Sequence, residues 1–249
     1  MIEVERIQAQ NPGPFTLSGT NTWVLGRDPA WVVDPGPALD EHLDAVAAAV
    51  AARGGAGGVA ITHDHADHVE GVPALLERVG DVPVAAARYA GADVRLRDGD
   101  AFGPLRAVAT PGHAPDHLAF VSGAVCCSGD AVLGEGSVFV APGPGAMAGY
   151  LAALERLLGM GLERILPGHG PPVEDPPAKL GDYLAHRRER ERLLLEALAD
   201  GARSERELLD AVWDDVPPAL RGAAAVTLAA HLGKLEEEGR LPPGVERRS

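Results

Sequence analysis

Thr62-His63-Asp64-His65-Ala66-Asp67-His68 decides how this chain is read. It packs three histidines and two aspartates into seven residues, directly after the apolar run Val59-Ala60-Ile61. That spacing can present two groups of donors to two adjacent metal ions. Neutral imidazole and carboxylate are donors that zinc takes readily. Farther along stand His113 in Thr110-Pro111-Gly112-His113, Asp130 in Ser128-Gly129-Asp130, and His169 in Pro167-Gly168-His169-Gly170. Each follows a short apolar, strand-like run and sits beside a glycine. Of 9 histidines in the chain, those at 63, 65, 68, 113 and 169 fall in this series, which makes chance placement a poor account of it.

Outward from that stretch the pattern alternates between two periods. Ile2-Glu3-Val4-Glu5-Arg6-Ile7 has the period of a half-buried strand. Thr22–Leu25 and Trp31–Val33 continue it, the second closed by Asp34-Pro35-Gly36. Leu39, Leu43, Val46, Ala47 and Val50 fall at helical spacing and end at Gly54-Gly55. A helix with Leu75, Leu76 and Val79 follows, then a strand near Val82–Ala86. Further strands are expected at Leu105–Ala109, Leu118–Val121, Ala124–Cys127 and Val138–Val140. A helix over Met147–Leu158 then precedes Arg164-Ile165-Leu166. Periodicity alone gives an α/β fold with candidate ligands at strand ends.

Pro171-Pro172 and Pro176-Pro177 mark a boundary, dividing residues 1–176 from residues 177–249. Beyond it, Leu180–Leu198 reads as a long charged helix, followed by helical segments at Glu205–Trp213, Pro218–Ala225 and Val226–Glu238. Ser204 and Glu207 have the spacing of a capping box. The order resembles a winged-helix domain. Its candidate recognition helix carries Glu236-Glu237-Glu238 and a single lysine, Lys234. A groove-reading helix needs positive charge and base-reading polar groups, so packing, a lid or a homodimer contact is the preferred role.

The net charge is −14. Residues 1–176 hold 10 basic against 22 acidic side chains, and residues 177–249 hold 12 against 14. This balance disfavours a broad electrostatic grip on nucleic acid or on an anionic membrane, although Arg187, Arg188, Arg190 and Arg192 could form a local contact. Cys126 and Cys127 are adjacent, so on a strand they point to opposite faces and form no disulfide framework. No basic-then-apolar leader and no membrane-length apolar run is present, and a soluble cytoplasmic protein is expected.

The ordered series His63, His65, Asp67, His68, His113, Asp130, His169 resembles the H-x-H-x-D-H…H…D…H pattern of the metallo-β-lactamase superfamily. The resemblance implies an αββα sandwich carrying a small C-terminal helical, winged-helix-like domain. It also implies a ligand set: His63, His65 and His113 on one metal, Asp67, His68 and His169 on the other, and Asp130 bridging. Two zinc ions are the expected cofactors, with iron and manganese as alternatives. A hydroxide between the ions would be the nucleophile, with Asp67 orienting it and taking its proton. Asp34 and His117 are candidates for supporting the ligands, against turn and packing roles respectively. His42, His186 and His231 fall on predicted helices and are read as packing or surface residues.

A second stretch, Asn11-Pro12-Gly13-Pro14-Phe15-Thr16-Leu17-Ser18-Gly19-Thr20-Asn21-Thr22-Trp23, is more specific. With Tyr183-Leu184-Ala185-His186-Arg187 and His231-Leu232, it resembles the branch containing a mitochondrial β-lactamase-like endoribonuclease and fungal polyketide acyl-carrier-protein thioesterases. By that resemblance Thr20, Asn21 and Thr22 would line the substrate mouth; a hydrogen-bonding role at the strand start is the alternative. Within the branch one scaffold serves RNA phosphodiesters and thioesters, so fold does not decide substrate. The acidic catalytic part favours a thioesterase acting on a small-molecule or carrier-bound acyl substrate. Cleavage of single-stranded RNA is the alternative.

Overall fold

The computed structural model describes residues 2–246. Two mixed sheets face each other. The first has strand order β1-β2-β3-β4-β5-β6, with β1 Val4–Gln8, β2 Asn21–Leu25, β3 Ala30–Val33, β4 Ala56–Ala60, β5 Val84–Ala86 and β6 Val94–Arg95. The second has order β11-β10-β9-β8-β7, with β7 Ala101–Phe102, β8 Leu105–Ala109, β9 Leu118–Ser122, β10 Val125–Gly129 and β11 Arg164–Pro167. Helices α1 (Asp40–Ala51), α2 (Ala66–Val69) and α3 (Val72–Val79) follow strands of the first sheet; α4 (Ala146–Leu158) and α5 (Pro176–Ala199) accompany the second.

Side-chain alternation builds the layers. On β2, Trp23 and Leu25 join the core between the sheets, with Phe120, Cys127 and Leu166 from the other side. Val24 points the other way, into a core with Leu43 and Val46 of α1 and Leu75 of α3. On β10, Cys126 faces Tyr150 and Leu154 of α4, whereas Cys127 faces the other sheet. Both cysteines are buried and unpaired. The period of two thus assigns one residue to each core, and the result is the expected αββα sandwich.

The strand expected at Val138–Val140 is absent. Val138 and Val140 are buried there in irregular chain, and the Val140 amide donates to Thr227 Oγ1 (3.2 Å) instead of to a strand. Apolar content alone did not distinguish the two arrangements.

After Pro176 the chain runs into α5, whose N-cap Asp175 accepts from the Ala178 amide (3.0 Å). Leu180, Tyr183 and Leu184 pack into the α4 core, while Leu194 and Leu198 belong to a separate C-terminal core. One helix therefore serves both. Helix α6 (Glu205–Val212) opens with the expected capping box between Ser204 and Glu207. The segments expected at Pro218–Ala225 and Val226–Glu238 are instead a 3-10 turn, Pro218–Leu220, and one helix, α7 (Arg221–Glu237). No proline or glycine stands between Ala225 and Val226, so nothing local stops the helix there. No helix among the described residues is long and apolar enough to cross a membrane.

Candidate metal centre

The ends of strands from both sheets converge on one cluster. Past β3 comes Asp34, past β4 come Thr62, His63 and His65, and the short α2 supplies Asp67 and His68. The turn beyond β8 brings His113, β10 runs into Asp130, and β11 into His169. A bridge between Thr20 and His169, and the Asn21 amide bound to Gly168 O (2.7 Å), tie the two sheets together at this end.

The seven expected ligands fall into three overlapping groups whose donor atoms lie within 4.8 Å of one another: His63/His65/His113, His63/His68/Asp130 and Asp67/His68/His169. His65 Nδ1 lies 2.9 Å from His63 Nε2 and 3.0 Å from His113 Nε2. One ring nitrogen has a single proton or a single in-plane lone pair, so it cannot satisfy both neighbours, whereas a cation among the three would. His68 Nε2 and Asp130 Oδ1 are buried with no hydrogen-bond partner, a costly state for polar atoms. The donor set thus fits divalent metal ions on its own geometry.

Protonation divides the cluster. Burial holds His63 well below the ordinary imidazole range and brings His113 down to about 4, leaving both neutral as ligands must be. His169 is the reverse: burial opposes its charge, but hydrogen bonds from its ring to Asp130 and Asp67 raise it to about 10. For Asp67, burial acts upward, and His169 and His68 overcome it to leave the carboxyl at about 2. Burial opposes charge on His68 as well, but the charges of Asp130 and Asp34 outweigh it and raise the imidazole. The carboxylates of Asp34, Asp67 and Asp130 thus favour positive charge at the His68 and His169 side of the cluster.

Surrounding groups hold the ligands in place. Asp34 Oδ2 accepts from His68 Nδ1 (2.9 Å) and from Thr62 Oγ1 (2.7 Å), and Oδ1 accepts from the Thr62 amide (2.8 Å). It does so at φ 52°, a left-handed conformation that aspartate tolerates better than most residues. The Asp130 amide donates to His117 Nε2 (3.0 Å), so the His117 proton sits on Nδ1 and goes to Thr110 Oγ1 (2.7 Å). Both nitrogens of His117 are spent; it positions Asp130 and ligates nothing. Thr20 Oγ1 donates to Asp67 Oδ2 (3.2 Å), and Asn21 Nδ2 donates to Pro167 O (2.9 Å) and Gly170 O (2.8 Å) on either side of His169. Gly168 is required by crowding: a Cβ there would lie 2.5 Å from Asp130 Oδ1 and 2.8 Å from His68 Cε1.

His42 is buried, its Nε2 between Thr22 Oγ1 (2.9 Å) and Pro35 O (3.0 Å), where it braces the Asp34 turn. His231 is buried beside the C-terminal core. His186 lies on a cavity of about 610 Å³ that opens from the cluster, where His65, Asp67, His113, Asp130 and His169 form one end. Phe139 stands over His113 with ring centroids 4.6 Å apart, and Phe15, 58% exposed, meets Phe139 edge-on. The sequence placed Phe139 in the strand expected at Val138–Val140 and gave it no part in the site, and a lid was one of the roles expected for the C-terminal domain, which forms the far wall. Of the four arginines that could form a local contact with nucleic acid, two face inward and two are exposed in ion pairs. Arg187 and Arg190 point inward because residues 187, 190 and 194 share one face of α5, and Arg188 and Arg192 pair with Glu155 and with Glu189 and Glu196.

A family model described as the beta-lactamase associated winged helix domain matches residues 204–241. A beta-lactamase-like protein 2 homolog of Caenorhabditis elegans is 31% identical, covering 95% of this chain and 85% of its own length. The chain belongs to the metallo-β-lactamase superfamily. An atrochrysone carboxyl ACP thioesterase of Aspergillus chevalieri is 33% identical over 86% of this chain and 74% of its own. In fold, a metallo-beta-lactamase family protein from Thermus thermophilus superposes with a TM-score of 0.77, covering 95% of this chain and 94% of that one at 24% identity. The αββα sandwich with a C-terminal winged helix is thus a family architecture, and a metallo-β-lactamase-fold hydrolase is the functional class.

Proposed function

We propose that the protein is a binuclear metal-dependent hydrolase of thioesters or related acyl substrates. Residues 1–176 carry the chemistry and residues 177–249 close the substrate cavity. His63, His65 and His113 would hold one ion, Asp67, His68 and His169 the other, and Asp130 both. Zinc suits this imidazole and carboxylate set; iron and manganese accept the same donors. When bound, two such ions supply a water activated near neutral pH and a Lewis acid for the acyl oxygen.

The chain's own groups do the rest. Asp67 stays ionised down to about pH 2 and reaches the cavity, so it can take the proton of the attacking water. Thr20 fixes which way that carboxylate faces. Asp34 and His117 keep His68 and Asp130 from turning. A thiol leaving group has a pKa of about 8.5 and departs without a general acid, so no further acid is needed among the cavity residues.

The observation that carries this reading is the opening of the cluster into a cavity with mainly apolar walls and, among its described lining residues, no row of solvent-facing cations. A phosphodiester chain would need such cations. The decisive experiment loads purified protein with zinc, measures bound metal, and follows thiol release from a panel of acyl-thioesters. Wild type should hold close to two ions and release thiol, and His63→Ala should lose both together. An active, metal-depleted His63→Ala variant would sink the mechanism. Silence of metal-loaded wild type across the panel would sink the substrate class.

A further inference from the structure

The cavity is contributed by two parts of the chain. On the catalytic side, Phe15, Leu17, Leu133, Val138 and Phe139 lead away from the cluster. On the C-terminal side, Trp213, Val216, Leu220, Ala223 and Ala224 close it, from the end of α6 to the first turn of α7. A volume of about 610 Å³ falls in the range for burying a drug-sized ligand, far more than an acetyl group needs.

Charge narrows the occupant. Among the described residues lining this cavity, the arginines are Arg187 and Arg190, and both are engaged. Arg187 donates to Ser137 Oγ (2.8 Å) and to Val138 O, and its guanidinium lies 5.5 Å from the Tyr150 ring centroid. Arg190 forms a two-pronged pair with Asp215 (2.7 and 2.8 Å), donates to Val212 O and lies over the Trp213 ring. His186 Nε2 accepts from Arg190 Nε (3.2 Å), and burial, with the charges of Arg187 and Arg190, pushes its pKa down to about 4, so it is neutral at pH 7. Arg187 has no carboxylate partner and its Nε lacks a hydrogen bond, but both arginines are buried, so the walls the cavity presents are mainly apolar.

Resting on the acyl-hydrolase reading above, we propose that the C-terminal domain is the substrate's length gauge. The cavity takes an uncharged aliphatic acyl chain, medium or long, with its thioester at the cluster and its tail against Leu220 and Ala223. The charged or polar thiol portion stays outside. The winged-helix fold here is turned inward as a pocket wall, with its Lys234 held by Glu191 and Glu238 (both 2.8 Å).

Zinc-loaded full-length protein is assayed with uncharged N-acetylcysteamine thioesters from acetyl to dodecanoyl. Each methylene that enters the cavity should raise kcat/KM by about two- to fourfold, so octanoyl, six methylenes longer, should exceed acetyl by about a hundredfold to a few thousandfold. Ala223→Phe, which fills the tail end from a partly exposed position, should lower the octanoyl-to-acetyl ratio at least about tenfold. General damage would depress both substrates and leave the ratio alone. In parallel, calorimetry with the non-hydrolysable octyl thioether should show binding with a negative heat-capacity change, weakened by Ala223→Phe.

A flat or acetyl-preferring profile overturns the proposal while leaving the acyl-hydrolase reading intact. If no thioester is cleaved, that reading fails, and the thioether titration decides the pocket alone. Binding sensitive to Ala223→Phe keeps the apolar site; no binding, or displacement of the thioether by a single-stranded oligoribonucleotide, overturns it.

Discussion

The cavity has two ends built on opposite principles. At the cluster, polar atoms are left without protein partners: His68 Nε2 and Asp130 Oδ1 are buried and bare, and His65 Nδ1 faces two nitrogens it cannot satisfy together. At the C-terminal end, the wall arginines are buried and bonded to acceptors of the chain itself, with only Arg187 Nε left without a partner, and what faces the space is mainly hydrocarbon. Unsatisfied donors and acceptors are costly unless a ligand meets them, so the first end is built to bind ions. The second offers an occupant mainly hydrocarbon. Chemistry and selection are therefore separable, and substitutions at the two ends should fail in different ways.

Among the residues that support the ligands, the largest effect is expected from Asp34→Asn. Asparagine tolerates the left-handed backbone at this position, so the turn can persist, and what changes is hydrogen bonding. The Asp34 carboxylate accepts from His68 Nδ1, Thr62 Oγ1 and the Thr62 amide; an amide offers one oxygen and turns an NH₂ toward donors. His68 loses its fixed tautomer. Metal affinity measured by chelator competition should fall about 10–100-fold, with hydrolysis falling equally for acetyl and octanoyl substrates. A change in the acyl preference instead would show that the two ends are not independent.

A smaller and graded effect separates the two ligand groups. His113, held at about 4, is already neutral at pH 7 and has no proton to give. His169, held at about 10, is protonated there and must release its proton to ligate. Metal binding at pH 7 should therefore release protons, detectable as a dependence of the calorimetric enthalpy on buffer ionisation. Affinity at the Asp67/His68/His169 group should rise about tenfold per pH unit for each proton displaced. Binding without proton release would contradict the charge pattern of the metal-free cluster. By the same linkage, the stability that protonated His169 lends the metal-free protein is full below pH 6.5 and fades as pH rises through about 10.

How much of this was legible differed between the ends for a physical reason. A metal cluster assembled at strand termini needs particular donors next to turns, and His63, His65, Asp67 and His68 in one stretch, with His113, Asp130 and His169 each beside a glycine, display that need in one dimension. The period of two likewise foretold the opposite facing of Cys126 and Cys127. The pocket wall has no such local requirement. Phe139 matters through its place over His113, and Ala223 through space it leaves open, and neither property is written in residue type or spacing. Arg187 and Arg190 misled because charge on a helix reads as solvent-facing, whereas here the arginine stems are buried and the guanidinium groups meet carbonyls at the loop and helix ends. Asp34 was ambiguous for a related reason, since a turn aspartate and one that orients an imidazole look alike until the fold brings position 68 beside it.

The smallest effect is at the far wall. Arg190→Gln removes the two-pronged bond to Asp215 and the cation over Trp213 while keeping a side chain able to reach Val212 O. Asp215 is largely exposed, so its loss of a partner costs little; most of the penalty is lost packing and hydrogen bonding on the Arg190 side, together about 1–2 kcal/mol in urea unfolding. Metal content should not change, because no ligand touches Arg190. The wall residues Trp213 and Val216 should become less firmly held, and the octanoyl-to-acetyl ratio should drop a few-fold while the metal stays bound. If the metals leave as well, the C-terminal domain is holding the loop that carries Asp130 and Phe139 rather than only bounding the cavity, and the separation between the two ends of the site would have to be given up.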